Sequence, residues 1–174
     1  MTAGRNGTRR AAPAGRYKMG MRLVAVVLAT VLALAPATGA ASATASERAL
    51  VACANDARAA RGLEPLNVDR ALHSVAHRFA ADMARRGFFD HVDPDGRDPG
   101  GRIEVKGRYI TWGENIAEGY PDAAATCRGW LRSRSHRRNI LDRRFTRIGP
   151  GYADGGDGPV FVQDFGANAG DSAR

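Results

Sequence analysis

Two histidines and a glutamate, His91, Glu114 and His136, combine acid–base and metal-ligating chemistry with a setting that demands partners. Glu114 and Asn115 lie inside Trp112–Gly119, a short aromatic and aliphatic run where a packed interior would otherwise take only apolar side chains. Buried carboxylates and amides must be hydrogen-bonded. His91 precedes this run, in Phe88-Phe89-Asp90-His91, and His136 follows it, in Trp130-Leu131-Arg132-Ser133-Arg134-Ser135-His136, so the two stand almost symmetrically about it. A fold that brings them together makes a His/Glu/His site. Two neutral imidazoles and a carboxylate form a zinc set that water can complete to a tetrahedron. Without metal, the same groups form a cleft floor in which Glu114 bridges the histidines and backbone donors.

The other constellations carry less. His73 and His77 are four apart on a helical pattern, yet no acidic or cysteine partner follows at matching spacing, so they read as surface histidines. Asp90–Arg97 alternates acidic residues ahead of Gly96, but in calcium-loop register the first and twelfth places would be His91 and Arg102, where carboxylates are required. Asp93–Gly96 therefore reads as a tight turn. A hydrolase could use zinc-activated water, or Ser133 as nucleophile with His136 as base and Glu114 as orienting acid; no nucleophile-elbow motif surrounds Ser133 or Ser135. Arg128, Arg132, Arg134, Arg137, Arg138, Arg143, Arg144 and Arg147 crowd the segment around His136. They offer an attraction for an anionic envelope polymer or phospholipid, against the plainer reading of a solvated arginine-rich face. No nucleic-acid motif or interleaved aromatic pattern accompanies them, so no nucleic-acid partner is expected.

The elements that must position these residues follow an export signal. The first 45 residues hold six basic side chains and no acidic ones, then a 13-residue apolar run, Leu23 to Ala35, too short to span a membrane. Small residues at 41–45 offer cleavage near 43–45, which reads as a secretory signal peptide, with an uncleaved anchor as the alternative. The formal charge of +8 belongs largely to this segment, since residues 46–174 hold 20 basic against 18 acidic residues. One domain, 46–174, and a monomer are expected. Two cysteines, Cys53 and Cys127, in an exported chain favour a disulfide, with two buried thiols as the alternative.

Within the domain, Ser46 is placed to cap a helix running to about Arg61, with Leu50, Cys53, Ala54, Ala57 and Ala60 as its inner stripe and Gly62 as its stop. Residues 63–69 read as a linker. A second helix from Asp69 to Gly87 turns Leu72, Val75, Ala76, Phe79 and Met83 inward. A short helical or extended piece is expected at 102–105. A third helix from Pro121-Asp122 buries Ala123, Cys127 and Trp130, and Ser133–Leu141 is an irregular or short helical connection. Runs at 148–153 and 159–165 around Asp154-Gly155-Gly156-Asp157-Gly158 form a hairpin. Helices first and a terminal hairpin give α+β.

Phe89-Asp90-His91, Gly113-Glu114-Asn115-Ile116-Ala117, Trp130-Leu131-Arg132-Ser133, His136-Arg137-Arg138-Asn139-Ile140-Leu141, Ile148-Gly149-Pro150-Gly151 and Gln163-Asp164-Phe165-Gly166 occur in an order and spacing that resembles the CAP superfamily of cysteine-rich secretory, antigen 5 and pathogenesis-related 1 proteins, also called SCP-like domains. The resemblance covers residues 47–166 and implies a three-layer α-β-α sandwich in which His91, Glu114 and His136 match three members of the family's cleft tetrad. Ser133 stands where many eukaryotic members carry a glutamate, as in the cysteine-poor bacterial branch, so the fourth position falls to Ser133 or Asn115. Pro150 replaces a usual aliphatic residue, tolerable on an edge strand. The resemblance implies sterol, fatty-acid or protein ligands, and Tyr109, Trp112 and Tyr120 are available to line a groove. The expectation is a secreted, non-catalytic binding module with a lipid or protein ligand and a cleft able to take a divalent metal such as zinc, not required for the fold. The alternative is a metal-dependent hydrolase acting on an extracellular or envelope substrate.

Overall fold

In the computed structural model, which describes residues 38–103 and 109–173, a four-stranded sheet separates two helical layers. The first helix, α1 (Thr38–Ala59), is followed by β1 (Asn67–Val68), α2 (Arg70–Arg86), α3 (Pro99–Ile103) and β2 (Thr111–Glu118). Then come α4 (Ala123–Arg132), α5 (Arg134–Ile140), β3 (Arg147–Ala153), β4 (Val160–Ala167) and a closing 3-10 turn, Ala169–Ala173. The sheet order is β1-β3-β4-β2; β4 runs antiparallel to both neighbours, and only the β1–β3 pair is parallel. This is an α+β, three-layer sandwich.

Strand alternation divides the core. Ala117, Ile148, Tyr152, Phe161 and Phe165 project to the face covered by α1, α4 and α5, where Leu50, Ala54, Trp130 and Ile140 meet them. Ile116, Val160 and Val162 project to the opposite face against Ala76, Phe79, Ala80 and Met83 of α2. Because successive residues of a strand point to opposite faces, Glu114 and Asn115 open into different layers.

Most expected elements are present with adjusted limits. Asp69 caps α2, accepting from Ala71 N–H at 2.7 Å and Leu72 N–H at 3.2 Å, and Gly87 ends it at φ 66°. Gly62, at φ 63°, closes α1 as expected, with Leu63 N–H returning to the Arg58 carbonyl. Ser46, however, lies inside α1 rather than at its cap, because the helix already runs from Thr38. The expected export signal lies largely outside the described residues, and the 43–45 site falls within the first turns of α1.

Ala60 is exposed, whereas Arg58, outside the expected stripe, is buried and donates to the carbonyls of Glu64, Ile140, Asp142 and Phe145. Part of the expected linker is β1, paired with Arg147 and Ile148. Since β1 stops opposite Ile148, β3 from Gly149 onward is an outer strand, which accommodates Pro150. Of the piece expected at 102–105, Arg102 and Ile103 end α3 and the remainder lies outside the described residues.

Cys53 of α1 and Cys127 of α4 form a disulfide with Cα atoms 6.4 Å apart and a sequence separation of 74. No helix of the described residues is long and apolar enough to cross a membrane.

Candidate functional site

Glu114 sits on β2 with its side chain almost wholly out of water, and both of its oxygens are engaged. His91, exposed in the turn after α2, meets Oε1 through Nδ1 at 2.7 Å. Arg102 of α3 donates from Nη2 to Oε2 at 2.8 Å. The Arg102 guanidinium lies 3.5 Å over the Phe79 ring, so an aromatic face from α2 supports it from behind. The hydrogen bond that His91 makes to the Glu114 carboxylate raises the His91 pKa, against the opposing effect of burial, and favours the imidazolium.

Beneath Glu114, directly opposite in the β2–β4 register, lies Asp164. It is fully buried; its oxygens find no donor among the described residues, and a proton on it would face the Glu114 carboxylate. Burial first, and the Glu114 charge second, push its pKa well above the ordinary carboxylate value, with Arg102 pulling the other way. Asp164 therefore favours its protonated form far more than a free carboxylate does, because a second buried anion at this place would face both desolvation and repulsion.

The other face of β2 carries an amide network. Asn139 of α5 donates to the Glu114 carbonyl at 3.0 Å and to Asn115 Oδ1 at 2.9 Å. Asn115 donates to the His136 carbonyl at 3.2 Å and to Gln163 at 3.4 Å, and Gln163 reaches the Leu50 carbonyl at 3.1 Å. These bonds fix α5 against β2 and carry His136 toward the cleft. The His136 ring lies 6.4 Å from the Trp130 ring, and burial, reinforced by the nearby positive charge of His91, lowers its pKa. Of the expected cleft residues, His91 and Glu114 touch, and His136 lies near enough to His91 to feel its charge. Direct contact joins only the first two, and the ligand atoms of all three do not lie within 4.8 Å of one another.

Ser133 terminates α4 and precedes α5; its Oγ contacts Ser135 Oγ at 3.1 Å and its N–H bonds to the carbonyls of Gly129 and Trp130. It occupies a helix-end role and has no hydrogen bond to an imidazole. Asn115 supports the network without joining the carboxylate. Of the arginine-rich segment, Arg144 pairs with Asp142 and Arg147 with Asp69 and Asp171, while Arg128, Arg132, Arg134, Arg138 and Arg143 remain exposed or half-exposed.

The reading of His73 and His77 as plain surface histidines requires correction. Their acidic partner comes from another helix: Glu47 of α1 places Oε2 3.2 Å from His73 Nε2 and Oε1 2.9 Å from His77 Nδ1. Among the described residues this is the group whose three ligand atoms all lie within 4.8 Å, so a Glu/His/His group able to hold a metal ion exists away from the expected cleft. The i, i+4 spacing of the histidines was its visible half. Arg102, Asp164 and Glu47 had no comparable signal, since each reaches its partner through tertiary packing.

The profile of the cysteine-rich secretory protein family matches residues 51–165. Among curated relatives, the uncharacterized protein YkwD of Bacillus subtilis (strain 168) is 36% identical over 125 residues, which are 71% of this chain and 48% of that protein. The uncharacterized membrane protein YlbC of the same organism is 32% identical over 124 residues, 70% of this chain and 34% of that protein. The chain thus spans about half or less of the curated relatives it matches. Among solved structures, an extracellular protein containing a SCP domain from Bacillus anthracis str. Ames superposes with TM-score 0.71 at 28% identity, covering 78% of this chain and 44% of that one. An outer surface protein from Borrelia burgdorferi, at 23% identity and TM-score 0.66 over 71% of this chain and 93% of that one, shares the fold. With the family profile spanning most of the sandwich and the bacterial relatives matching over the same region, this chain belongs to the CAP family.

Proposed function

We propose that the chain is a secreted, non-catalytic binding module whose ligand-facing surface is the cleft edge around His91. The observation that carries this reading is the occupation of Glu114. Arg102 already supplies the positive charge that a divalent ion would bring, and His91 takes the other oxygen. A metal entering here would have to displace a nearly buried guanidinium, or remain beside it against its repulsion. Ser133 lacks a base, and Asp164 is fully buried with its protonated form favoured. Phe89 and Val92, each 46% exposed, flank His91 in sequence and provide apolar contact for a lipid chain or an apolar protein segment. The Cys53–Cys127 disulfide and the extracellular relative support export.

The competing reading, a metal-dependent hydrolase, draws on the His91–Glu114 bond and on the lowered His136 pKa, which favours the neutral imidazole a metal needs. One experiment separates them. The full chain is titrated with a fluorescent long-chain fatty acid while ester hydrolysis is followed with and without added zinc. Saturable uptake insensitive to chelator, weakened about tenfold by Phe89→Ser with Val92→Ser, is the expected result, from the loss of about 1.4 kcal/mol of apolar contact. Zinc-dependent turnover abolished by His91→Ala would overturn the binding-module reading. Neither uptake nor turnover would remove lipid and leave a protein ligand for the same surface.

A further inference from the structure

We propose that Glu47, His73 and His77 bind one divalent first-row metal ion of the zinc class, fastening α1 to α2 at a site separate from the cleft. Residues four apart on a helix share a face. Here the His73 and His77 ring centres are 5.9 Å apart, and the Glu47 carboxylate lies between them with contacts of 3.2 and 2.9 Å. In a tetrahedral zinc site with bonds of roughly 2.0–2.2 Å, neighbouring ligand atoms stand about 3.3 Å apart. Each imidazole nitrogen already stands about that far from one Glu47 oxygen, and one ligand atom from each of the three residues lies within 4.8 Å of the others, so a small closing movement would bring them onto one ion. Two imidazoles and one carboxylate leave a fourth position for water, and this donor set favours zinc-class ions over calcium or magnesium, which prefer oxygen.

Two further observations point to an ion rather than to a passive surface contact. First, Glu47 is only 7% exposed, yet among the described residues its ion-pair partners are the two histidines, with no arginine or lysine alongside. Glu114 differs in this respect, because Arg102 supplies its cation. A carboxylate drawn out of water beside two imidazoles is the setting in which a divalent ion adds the missing charge.

Second, the backbone beneath the histidines is fixed. A Cβ on Gly149 would stand 2.1 Å from the Leu72 carbonyl carbon and 2.3 Å from the His73 nitrogen. One on Gly151 would stand 2.3 Å from the Ala76 carbonyl oxygen and 2.8 Å from the His77 nitrogen. Glycines on β3 thus let the sheet press against α2 at the turns that carry the two ligands. A rigid support of this kind reduces the conformational freedom lost when ligands converge on an ion.

The test is zinc calorimetry on the full chain, with cobalt(II) absorption as a second readout of coordination geometry. The expected result is one-to-one binding that disappears in His73→Ala with His77→Ala, weakens at least about tenfold in Glu47→Gln, and persists in His91→Ala with His136→Ala. Alanine is the best helix former, so the double variant at these exposed or half-exposed positions should fold. Because the variant leaves the Glu47 carboxylate without its two partners, its metal-free melting temperature should fall below the parent's while its fold is retained, and zinc should raise only the parent's. Absence of zinc binding by the parent, or binding that survives in the His73/His77 variant, overturns the proposal. Loss through His91 and His136 instead would assign the ion to the cleft and count against the binding-module reading, so the two failures are distinguishable.

Discussion

Arg58 is a buried cation held by backbone oxygens, and replacing it by methionine gives a calculable loss. The side chain is 2% exposed and donates through Nε to the Glu64 carbonyl at 2.8 Å, through Nη1 to Ile140 at 2.9 Å and Asp142 at 2.8 Å, and through Nη2 to Phe145 at 3.1 Å. Arg58→Met preserves much of the apolar stem and deletes every donor. The bonds to Glu64 and Asp142 are partly buried, so water can take them over at small cost; those to Ile140 and Phe145 are buried, and their oxygens would be left without partners. At about 1–3 kcal/mol for each buried orphan, offset in part by the guanidinium desolvation no longer required, the net loss should be about 3 kcal/mol. With a urea slope of about 1.5 kcal/mol/M for a domain of this size, the unfolding midpoint should fall by about 2 M under non-reducing conditions. Arg58→Lys keeps the charge but not the planar fork and should fall between the two. The loss also reaches the cleft, because the Ile140 carbonyl ends the helix that carries His136 and Asn139. A methionine variant whose midpoint stays within about 0.3 M of the parent would refute the reasoning.

Two further outcomes follow from the same structure. Replacing Cys53 and Cys127 together by alanine should lower stability by on the order of 4 kcal/mol, as expected for opening a crosslink across 74 residues, and reductant should produce the same shift in the parent; superimposable urea curves with and without reductant would contradict this. Asp164→Asn should stabilise the domain at neutral pH and lose that advantage as pH falls toward the ordinary carboxylate value of 3.8. The sign follows because the folded Asp164 retains its proton while the unfolded one releases it, so the unfolded state binds fewer protons and stability declines as pH rises from 3.8 toward the raised value. Unfolding curves across roughly pH 3.5–8 would show the parent and variant diverging upward in pH; parallel profiles would contradict a protonated Asp164.

Local pattern and composition determined much of this protein. The stripe Leu72, Ala76, Phe79 and Met83 between a capping Asp69 and a terminating Gly87 specified α2, because a 3.6-residue repeat and its end signals are properties of neighbouring residues. Asp122 and the apolar positions 123, 127 and 130 did the same for α4, and the glycine-rich turn between two extended runs marked the β3–β4 hairpin. Inward-facing cysteines on two helices anticipated the disulfide, and the lone carboxylate in Trp112–Ala117 identified Glu114 as needing a partner, which His91 provides.

What only the tertiary structure decided is which charges meet. Arg102 and Asp164 reach Glu114 through α3 packing and strand register, and Glu47 reaches His73 and His77 across the junction of two helices. Arg58 follows Leu50 and Ala54 at four-residue spacing on the buried face of α1, and what lets a cation lie there is the convergence of four carbonyl oxygens from the turns around α1 and α5, which the sequence does not display. Periodicity reports which face of an element is buried. The identity of a buried charge's counter-charge depends instead on how layers stack and on register, and these are set by the fold as a whole.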